Sequence, residues 1–240
     1  MTDWFTRWFG KEYLELYPHR DDADAREAVS MIRAQIGGAQ FPAPILDLAC
    51  GSGRHSRALW EWGWTVGLDL SATLLQLAHE EDPDDPYVRG DMRVLPFAPG
   101  TFGLVVNLFT SFGYFATDAE HLEVIREVAR VTKSGGTFVL DYLNADEVRR
   151  TLVPFDEHVV DGRRIWQRRS ISADDRYVEK NISADHCDRE YQERVRLYTP
   201  DNLRDMIASS GFVVRHEFGD YDRSALTPDS PRVIFFAERT

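Results

Sequence analysis

Residues 45–53 read Ile-Leu-Asp-Leu-Ala-Cys-Gly-Ser-Gly, a short apolar run that ends in a turn with two glycines. The run has the composition of a strand buried on both faces, apart from one acidic residue, Asp47. Glycine lets the backbone approach a ligand closely, and a helix start offers free N–H groups. The stretch therefore predicts a strand, a tight turn and a helix start that suit a nucleotide-like ligand.

Segments typical of strands and of helices alternate along the chain around this turn. The predicted strands are 45–50, 65–69, 87–89, 102–109 and 137–143, and amphipathic helices follow most of them. Because the connections are short, this alternation predicts an α/β fold with a parallel sheet covered by helices on both faces. The aromatic-rich segment 3–17 and the segment 22–36 predict helices that precede the sheet.

The pattern changes after Pro154. Residues 155–198 alternate polar and apolar groups, which predicts an antiparallel β insertion that covers the adjoining site. Thr199-Pro200 is a typical helix start, with Thr199 as N-cap. The segments 212–218 and 233–237 then predict two final strands that pair antiparallel. We therefore expect three parts: N-terminal helices and the binding core at 1–154, the insertion at 155–198, and the end of the core at 199–240.

Composition narrows the functional classes. The chain has 240 residues and a net charge of −12, which argues against a broad nucleic-acid surface. Its two cysteines, Cys50 and Cys187, form neither a disulfide framework nor a zinc motif of the usual spacing. We find no metal-ligand motif, no signal peptide and no apolar run of membrane-spanning length. We expect a cytoplasmic protein without a bound metal.

The two glycines of the turn do not by themselves identify the ligand. No Gly-Lys-Ser/Thr follows the turn, so it is not a P-loop. A dinucleotide-binding fingerprint requires glycine or alanine at its third position, where this chain has Ser56. A nicotinamide-dependent oxidoreductase therefore stays an alternative with a poor motif. Asp47 favours a binding site over a purely structural turn, because an acidic residue inside an apolar strand is costly without a partner.

Acidic residues also follow the next two strands. Asp69 ends the second strand, where a carboxylate can accept hydrogen bonds from both hydroxyls of a ribose. Asp91 follows the third strand, where it can accept from an adenine amino group while Met92 packs on the ring. In open parallel sheets, ligands bind at the carboxyl ends of the strands. Three acidic strand ends in succession thus predict a nucleoside site.

The fourth strand leads into Phe109-Thr110-Ser111-Phe112-Gly113-Tyr114, which offers aromatic rings and small hydroxyls beside the same site. Aromatic rings can stabilise a cation such as a sulfonium.

The motifs at 45–55, 67–71 and 90–97 together resemble the cofactor motifs of the class I S-adenosylmethionine-dependent methyltransferases. The resemblance implies a Rossmann-like seven-stranded sheet of order 3-2-1-4-5-7-6, with strand 7 antiparallel. It also implies S-adenosylmethionine as cofactor. The implied contacts are Asp47, Ala49, Gly51 and Gly53 at the methionine part, Asp69 at the ribose, Asp91 and Met92 at the adenine, and Phe109 beside the methionine end, with Leu70 as a further cofactor-binding residue.

The β insertion, residues 193–199 and the ending Ser230-Pro231-Arg232 resemble small-molecule methyltransferases, among them the N-methyltransferases of amino sugars. In that group an N-terminal helix and the insertion close over the cofactor. The resemblance implies that Tyr13, Tyr17 and Arg20 face the methionine carboxylate, for which a hydroxyl donor and a bidentate cation are suited.

Methyl transfer from a sulfonium is an in-line displacement that depends mainly on positioning. An amine acceptor must arrive unprotonated, whereas a hydroxyl acceptor requires a base within hydrogen-bond reach. The candidate catalytic residues are Asp141, Tyr114 and His55, with His158 and His186 as further possible bases. Arg164 and Arg168 share a predicted strand face, where they either recognise an anionic acceptor or are simply solvated.

We expect a methyltransferase that acts on a small molecule through an amine or hydroxyl, such as that of a sugar, without nucleic-acid or membrane partners. A non-catalytic module that binds S-adenosylmethionine is a second alternative beside the oxidoreductase. A tRNA or protein methyltransferase is a third, which the acidic charge disfavours for RNA.

Overall fold

A computed structural model describes residues 4–16, 22–38, 41–185 and 190–240. The helices are α1 Phe5–Trp8, α2 Lys11–Leu16, α3 Asp22–Ile36, α4 Arg54–Trp60, α5 Ala72–Glu81, α6 Asp118–Val131, α7 Ala145–Thr151 and α8 Pro200–Ser209. The core strands are β1 Ile45–Leu48, β2 Thr65–Asp69, β3 Tyr87–Arg89, β4 Phe102–Asn107, β5 Thr132–Leu143, β10 Phe212–Phe218 and β11 Arg232–Arg239. The inserted strands are β6 Phe155–Val160, β7 Arg163–Ile171, β8 Tyr177–Ala184 and β9 Tyr191–Arg196.

The seven core strands form one sheet in the order β10-β11-β5-β4-β1-β2-β3. The strands β1 to β5 are parallel, and β11 runs antiparallel between β5 and β10. This confirms the predicted order 3-2-1-4-5-7-6, in which β11 is strand 7 and β10 is strand 6.

Both faces of this sheet are buried, as the apolar strands predict. In β1, Leu46 and Leu48 pack into the hydrophobic core on one face, while Ile45 packs into a second core on the other. Asp47 is the single acidic residue of β1, and it is 1% exposed. The sheet is therefore a rigid platform whose strand ends position the loops that follow.

Helix starts follow local sequence signals. Ser71 accepts from the N–H of Leu74 at the start of α5, and Thr199 forms a capping box with Asn202 at the start of α8. The cap at Thr199 was predicted from the sequence.

Two boundaries differ from the prediction. The aromatic segment forms two short helices rather than one, because Phe9 leaves helical geometry and Gly10 turns back to bond the carbonyl of Trp8 at 2.8 Å. The strand predicted at 137–143 begins at Thr132. Its glycine pair, Gly135-Gly136, lies in the irregular stretch where the pairing of β5 with β4 shifts register.

The inserted strands β6 to β9 form a separate four-stranded antiparallel sheet. It is joined to the N-terminal helices by a hydrophobic cluster that contains Trp8, Leu16, Ile165, Ile182 and Tyr191. The indole N–H of Trp8 also donates to Glu193 of β9 at 2.7 Å. These contacts hold α1 and α2 above the carboxyl ends of the core strands. Within the described part of the chain, no helix is long and apolar enough to span a membrane.

Candidate cofactor-binding site

A cavity of about 460 Å³ lies at the carboxyl ends of β1, β2, β3 and β4, beneath α1 and α2. Its volume is typical of small-molecule sites. Ten of the predicted site residues line it: Tyr13, Ala49, Gly51, His55, Asp69, Leu70, Asp91, Met92, Phe109 and Tyr114. The structure thus brings together residues from four strand ends and the N-terminal segment.

The turn after β1 forms the floor of this cavity. Ala49, Gly51 and Gly53 have φ values of 62°, 58° and 83°, in the left-handed region that favours glycine. A Cβ added to Gly51 would meet its nearest protein atom only at 3.9 Å, so the space above this glycine is open. The backbone of the turn is therefore free to contact a ligand closely.

Asp47 supports this turn from below and does not line the cavity, contrary to our expectation of a direct ligand contact. Its carboxylate accepts a hydrogen bond from the hydroxyl of Ser56 at 2.7 Å. Burial raises the pKa of Asp47 to about 6, against the opposing effect of the Ser56 hydrogen bond. Ser56, which seemed only a poor third position of a dinucleotide motif, is thus the partner that a buried acid requires.

Gly53 is also absent from the cavity wall. A Cβ at this position would lie 2.4 Å from the hydroxyl of Tyr87 and 3.2 Å from the Cβ of Ala78. This glycine is therefore required where α4 packs closely on its neighbours, rather than where the ligand lies.

Asp69 lines the cavity and fixes two adjacent loops. Its carboxylate accepts from the N–H of Gly51 at 2.9 Å and from the N–H of Ser71 at 2.8 Å. Burial raises the pKa of Asp69, and these N–H donors oppose the shift. A carboxylate oriented in this way can accept further hydrogen bonds from a pair of ligand hydroxyls.

Asp91 and Met92 line the cavity at the end of β3. Arg93 holds Asp91 through a contact of 2.6 Å and also reaches Glu120 of α6 at 2.7 Å. Burial alone would raise the pKa of Asp91, but the hydrogen bonds from Arg93 outweigh it and lower the pKa. Asp91 is therefore a fixed anion beside an apolar side chain that can cover a planar ring.

The loop after β4 is strained where it meets the cavity. Phe109 and Thr110 have backbone φ values of 57° and 59°, which residues other than glycine rarely adopt. The N–H of Phe109 donates to the Asp141 carboxylate at 2.8 Å, and the N–H of Thr110 donates to the Asp141 carbonyl at 3.1 Å. Asp141 therefore holds this backbone in an unfavourable conformation.

Asp141 is fully buried and does not line the cavity, which differs from the expectation of an accessible base. Besides Phe109, it accepts a hydrogen bond from the hydroxyl of Tyr221 at 2.7 Å and forms an ion pair with Arg232. Three donors from distant parts of the chain thus occupy its carboxylate.

The histidine candidates differ sharply in environment. His55 lines the cavity and is 6% exposed, and burial lowers its pKa well below the ordinary value, with the nearby charge of Arg54 acting in the same direction. Its Nε2 is buried without a hydrogen-bond partner among the described residues. His158 is partly exposed on β6, 3.9 Å from Asp156, and lines neither this cavity nor the second one described below. His186 lies outside the described residues.

The N-terminal segment closes the cavity from above. Arg7, Phe9 and Tyr13 line it, and the carbonyl of Phe9 accepts from the hydroxyl of Ser71 at 2.7 Å. Tyr17 and Arg20, expected at the methionine carboxylate, lie outside the described residues. Arg7 also lies in this region, but it was not predicted from the sequence as a site residue. It belongs to no recognisable motif within the aromatic segment.

A second, smaller cavity of about 170 Å³ adjoins the first. Phe9, Phe109 and Tyr114 line both cavities, so these three rings form the boundary between them. Among the residues that line the second cavity, Glu193 and Arg232 are charged and Thr110 carries a hydroxyl. Arg164 and Arg168 of β7 are exposed and line neither cavity.

The residues present fit S-adenosylmethionine. Asp69 offers carboxylate oxygens, Gly51 leaves open space, and the buried Nε2 of His55 has no hydrogen-bond partner in the described chain. The rings of Phe9, Phe109 and Tyr114 suit a sulfonium cation. No group of three or more potential metal ligands occurs within the described ranges.

Comparison with known proteins agrees with this geometry. Residues 46–140 match the model of a methyltransferase domain. YqeM of Bacillus subtilis (strain 168), which is designated a methyltransferase without a stated substrate, is 26% identical over 211 residues, or 82% of this chain and 84% of YqeM.

A second relative is the dTDP-3-amino-3,4,6-trideoxy-alpha-D-glucopyranose N,N-dimethyltransferase of Streptomyces venezuelae. It is 33% identical over 141 residues, and the match covers 53% of this chain and 57% of that enzyme. The chain thus aligns with little more than half the length of this relative.

The fold is also that of CalS10, an amino pentose methyltransferase from Micromonospora echinaspora whose structure contains bound S-adenosylmethionine. The TM-score is 0.71 at 24% identity, over 96% of this chain and 97% of CalS10. The resemblance to class I enzymes is therefore confirmed at the level of the fold. What the two comparisons have in common is a methyltransferase-like core, matched by the domain model at residues 46–140 and by the fold of CalS10.

Proposed function

We propose that this protein transfers the methyl group of S-adenosylmethionine to an amine or hydroxyl of a small molecule bound in the second cavity. The observation that carries the proposal is the shared wall of Phe9, Phe109 and Tyr114 between the two cavities. An acceptor in the second cavity would face the methionine end of a cofactor in the first, as an in-line displacement requires.

The cofactor supplies an activated methyl group on a sulfonium, and the chain's residues supply position. Asp69 binds the ribose, Asp91 and Met92 hold the adenine, and the turn Ala49–Gly51 accommodates the methionine part. Tyr13 and Arg7 lie at the N-terminal side, where they bind the methionine carboxylate. Phe109 and Tyr114 exclude water from the sulfonium.

In this proposal Asp141 is a positioning residue rather than a general base. Its carboxylate is already occupied by Phe109, Tyr221 and Arg232, and no part of it is exposed. Its role is to hold the strained Phe109-Thr110 backbone at the boundary of the two cavities. An amine acceptor is compatible with this arrangement, because an amine that arrives unprotonated needs no general base.

Relatives support a small acceptor. One of them is an amino-sugar N,N-dimethyltransferase, and CalS10 is an amino pentose methyltransferase. An amino sugar or a similar small amine is therefore the first acceptor class to test.

The test separates transfer from cofactor binding. The protein is incubated with S-adenosylmethionine and a panel of small amines and alcohols, including amino sugars, while S-adenosylhomocysteine and methylated product are followed by mass spectrometry. Val195→Trp fills the second cavity, and Val213→Trp on the outer strand β10 serves as the matched control.

We expect transfer in the wild type and in Val213→Trp, loss of transfer in Val195→Trp, and cofactor binding in all three. Transfer that is unaffected by Val195→Trp would contradict the assigned acceptor cavity. Cofactor binding without transfer to any member of the panel would favour the non-catalytic module.

A further inference from the structure

The second cavity contains a cation whose donors are only partly used. The Nε of Arg232 contacts Asp141, and its Nη2 lies 3.5 Å from the hydroxyl of Thr110, a long and weak contact. Its Nη1 has no hydrogen-bond partner within the described parts of the chain. The side chain is only 18% exposed, and it lines the second cavity.

The surroundings fix this guanidinium in place. Asp141, which is itself held by Tyr221 and by the N–H of Phe109, anchors one edge of it. The rings of Tyr221 and Phe109 lie 5.3 Å and 5.5 Å from its central carbon. An arginine held in this way is preorganised, so that an incoming anion does not have to pay the usual ordering cost of a long side chain.

The other charged side chain that lines this cavity, Glu193, already has its partners. Glu193 accepts from the indole of Trp8 at 2.7 Å and pairs with Lys180 at 2.6 Å. The charges of Glu193 and Lys180 cancel, and those of Asp141 and Arg232 cancel as well. What remains for an anion in this cavity is the donor capacity of Arg232 that Asp141 and Thr110 leave unused.

We propose that Arg232 binds a carboxylate of the methyl acceptor through its free Nη donors. This inference rests on the proposed function, since it places the acceptor in the same cavity. The carboxylate anchors the acceptor while a separate amine or hydroxyl receives the methyl group. Trp4, Phe9 and Tyr114 enclose the apolar body, because their ring centroids lie 5.1 to 5.7 Å apart on this side of the cavity.

The proposal is tested by binding measurements alone, with small probes that share a phenyl ring and differ in charge. The complex with S-adenosylhomocysteine is titrated with benzoate, benzamide and benzylamine by calorimetry. We expect benzoate to bind about tenfold more tightly than either neutral benzamide or cationic benzylamine. Phenyl phosphate distinguishes a carboxylate site from a phosphate site, and we expect it to bind more weakly than benzoate.

Variants assign the effect to Arg232. Arg232→Gln should weaken benzoate binding about tenfold or more, whereas Arg215→Gln, which removes an exposed arginine of β10, should leave it unchanged. Because Arg232→Gln leaves Asp141 buried without its cation, the double variant Arg232→Gln/Asp141→Asn removes both charges together. It should show the same loss of benzoate selectivity.

Several results would overturn the inference: benzamide, benzylamine or phenyl phosphate binding as tightly as benzoate, absence of saturable benzoate binding, or benzoate binding that survives both Arg232 variants. S-adenosylhomocysteine binding is measured first in every sample. Its failure in the wild type would contradict the proposed function itself, whereas normal cofactor binding without benzoate selectivity contradicts this inference alone.

Discussion

The hydroxyl of Ser56 donates a 2.7 Å hydrogen bond to the carboxylate of Asp47, nine residues earlier in the chain and almost completely buried beneath the cofactor turn. A charged or polar group inside an apolar strand is tolerated only when a partner satisfies it. The pair therefore ties the start of α4 to β1 and fixes the turn between them.

Replacement of Ser56 by alanine should destabilise the protein by about 1–3 kcal/mol, because it leaves the buried Asp47 without its side-chain donor. Urea unfolding followed by circular dichroism measures the change. Ser209→Ala removes an exposed hydroxyl of α8 and should change stability by less than about 0.5 kcal/mol. Equal stability of the two variants would contradict a structural role for the pair.

The raised pKa of Asp47 predicts a specific pH dependence. Burial shifts this pKa from 3.8 to about 6, so the folded state holds a proton that the unfolded chain has lost between these values. The contribution of Asp47 to stability is therefore fully present below about pH 4 and is lost as the pH rises through about 6.

The variant Asp47→Asn lacks this titration. The free energy of unfolding of the wild type, relative to Asp47→Asn, should fall by about 3 kcal/mol between about pH 4 and pH 7. Chemical denaturation of both proteins across this range provides the measurement. A difference that is independent of pH would show that Asp47 titrates normally in the folded protein.

A comparison of two glycines with similar φ values distinguishes an effect on stability from an effect on ligand binding. Gly51 and Gly100 have φ values of 58° and 62°, and a Cβ meets no protein atom closer than 3.9 Å at either position. Gly51→Ala and Gly100→Ala should therefore lose a similar stability, about 1–2 kcal/mol. Only Gly51 lines the cofactor cavity.

We expect Gly51→Ala to weaken the binding of S-adenosylhomocysteine about tenfold or more, because the added methyl group takes ligand space, while Gly100→Ala binds as the wild type does. Calorimetric titration distinguishes the two. Equal affinity in both variants would place the cofactor away from this turn.

The buried ion pair between Asp141 and Arg232 should contribute more to stability than an exposed pair does when one partner is removed. Asp141→Ala leaves a buried guanidinium uncompensated and should cost about 3–5 kcal/mol. Glu238→Ala breaks the exposed pair with Arg215 and should cost less than about 1 kcal/mol. Urea unfolding compares them, and a small loss for Asp141→Ala would refute the positioning role of this carboxylate.

The alternation of strands and helices follows from local signals, whereas the sheet order was implied by the resemblance to the class I enzymes, and the structure confirms both. Asp69 and Asp91 each follow a strand directly, and parallel strands bring their carboxyl ends to one edge. Leu70, Met92 and Phe109 follow from the same rule. The turn itself was ambiguous until these neighbouring strand ends were considered.

The contacts that the sequence did not reveal are long-range. Arg232 and Asp141 are 91 residues apart, and only the antiparallel pairing of β11 with β5 brings them together. Asp141 was therefore predicted as an accessible base, although Arg232, Tyr221 and Phe109 occupy it. The sequence likewise marks Gly53 and Asp47 as unusual for their positions. It does not show whether each one contacts a ligand or another part of the protein.

The most direct test of the central claim is a calorimetric titration of the wild type and Asp69→Ala with S-adenosylhomocysteine, alongside a nicotinamide dinucleotide. Asp69 lines the cavity and orients the loops at Gly51 and Ser71. We predict that the wild type binds one equivalent of S-adenosylhomocysteine, that Asp69→Ala binds it about tenfold or more weakly, and that neither protein binds the dinucleotide. Binding of the dinucleotide without binding of S-adenosylhomocysteine would contradict the account.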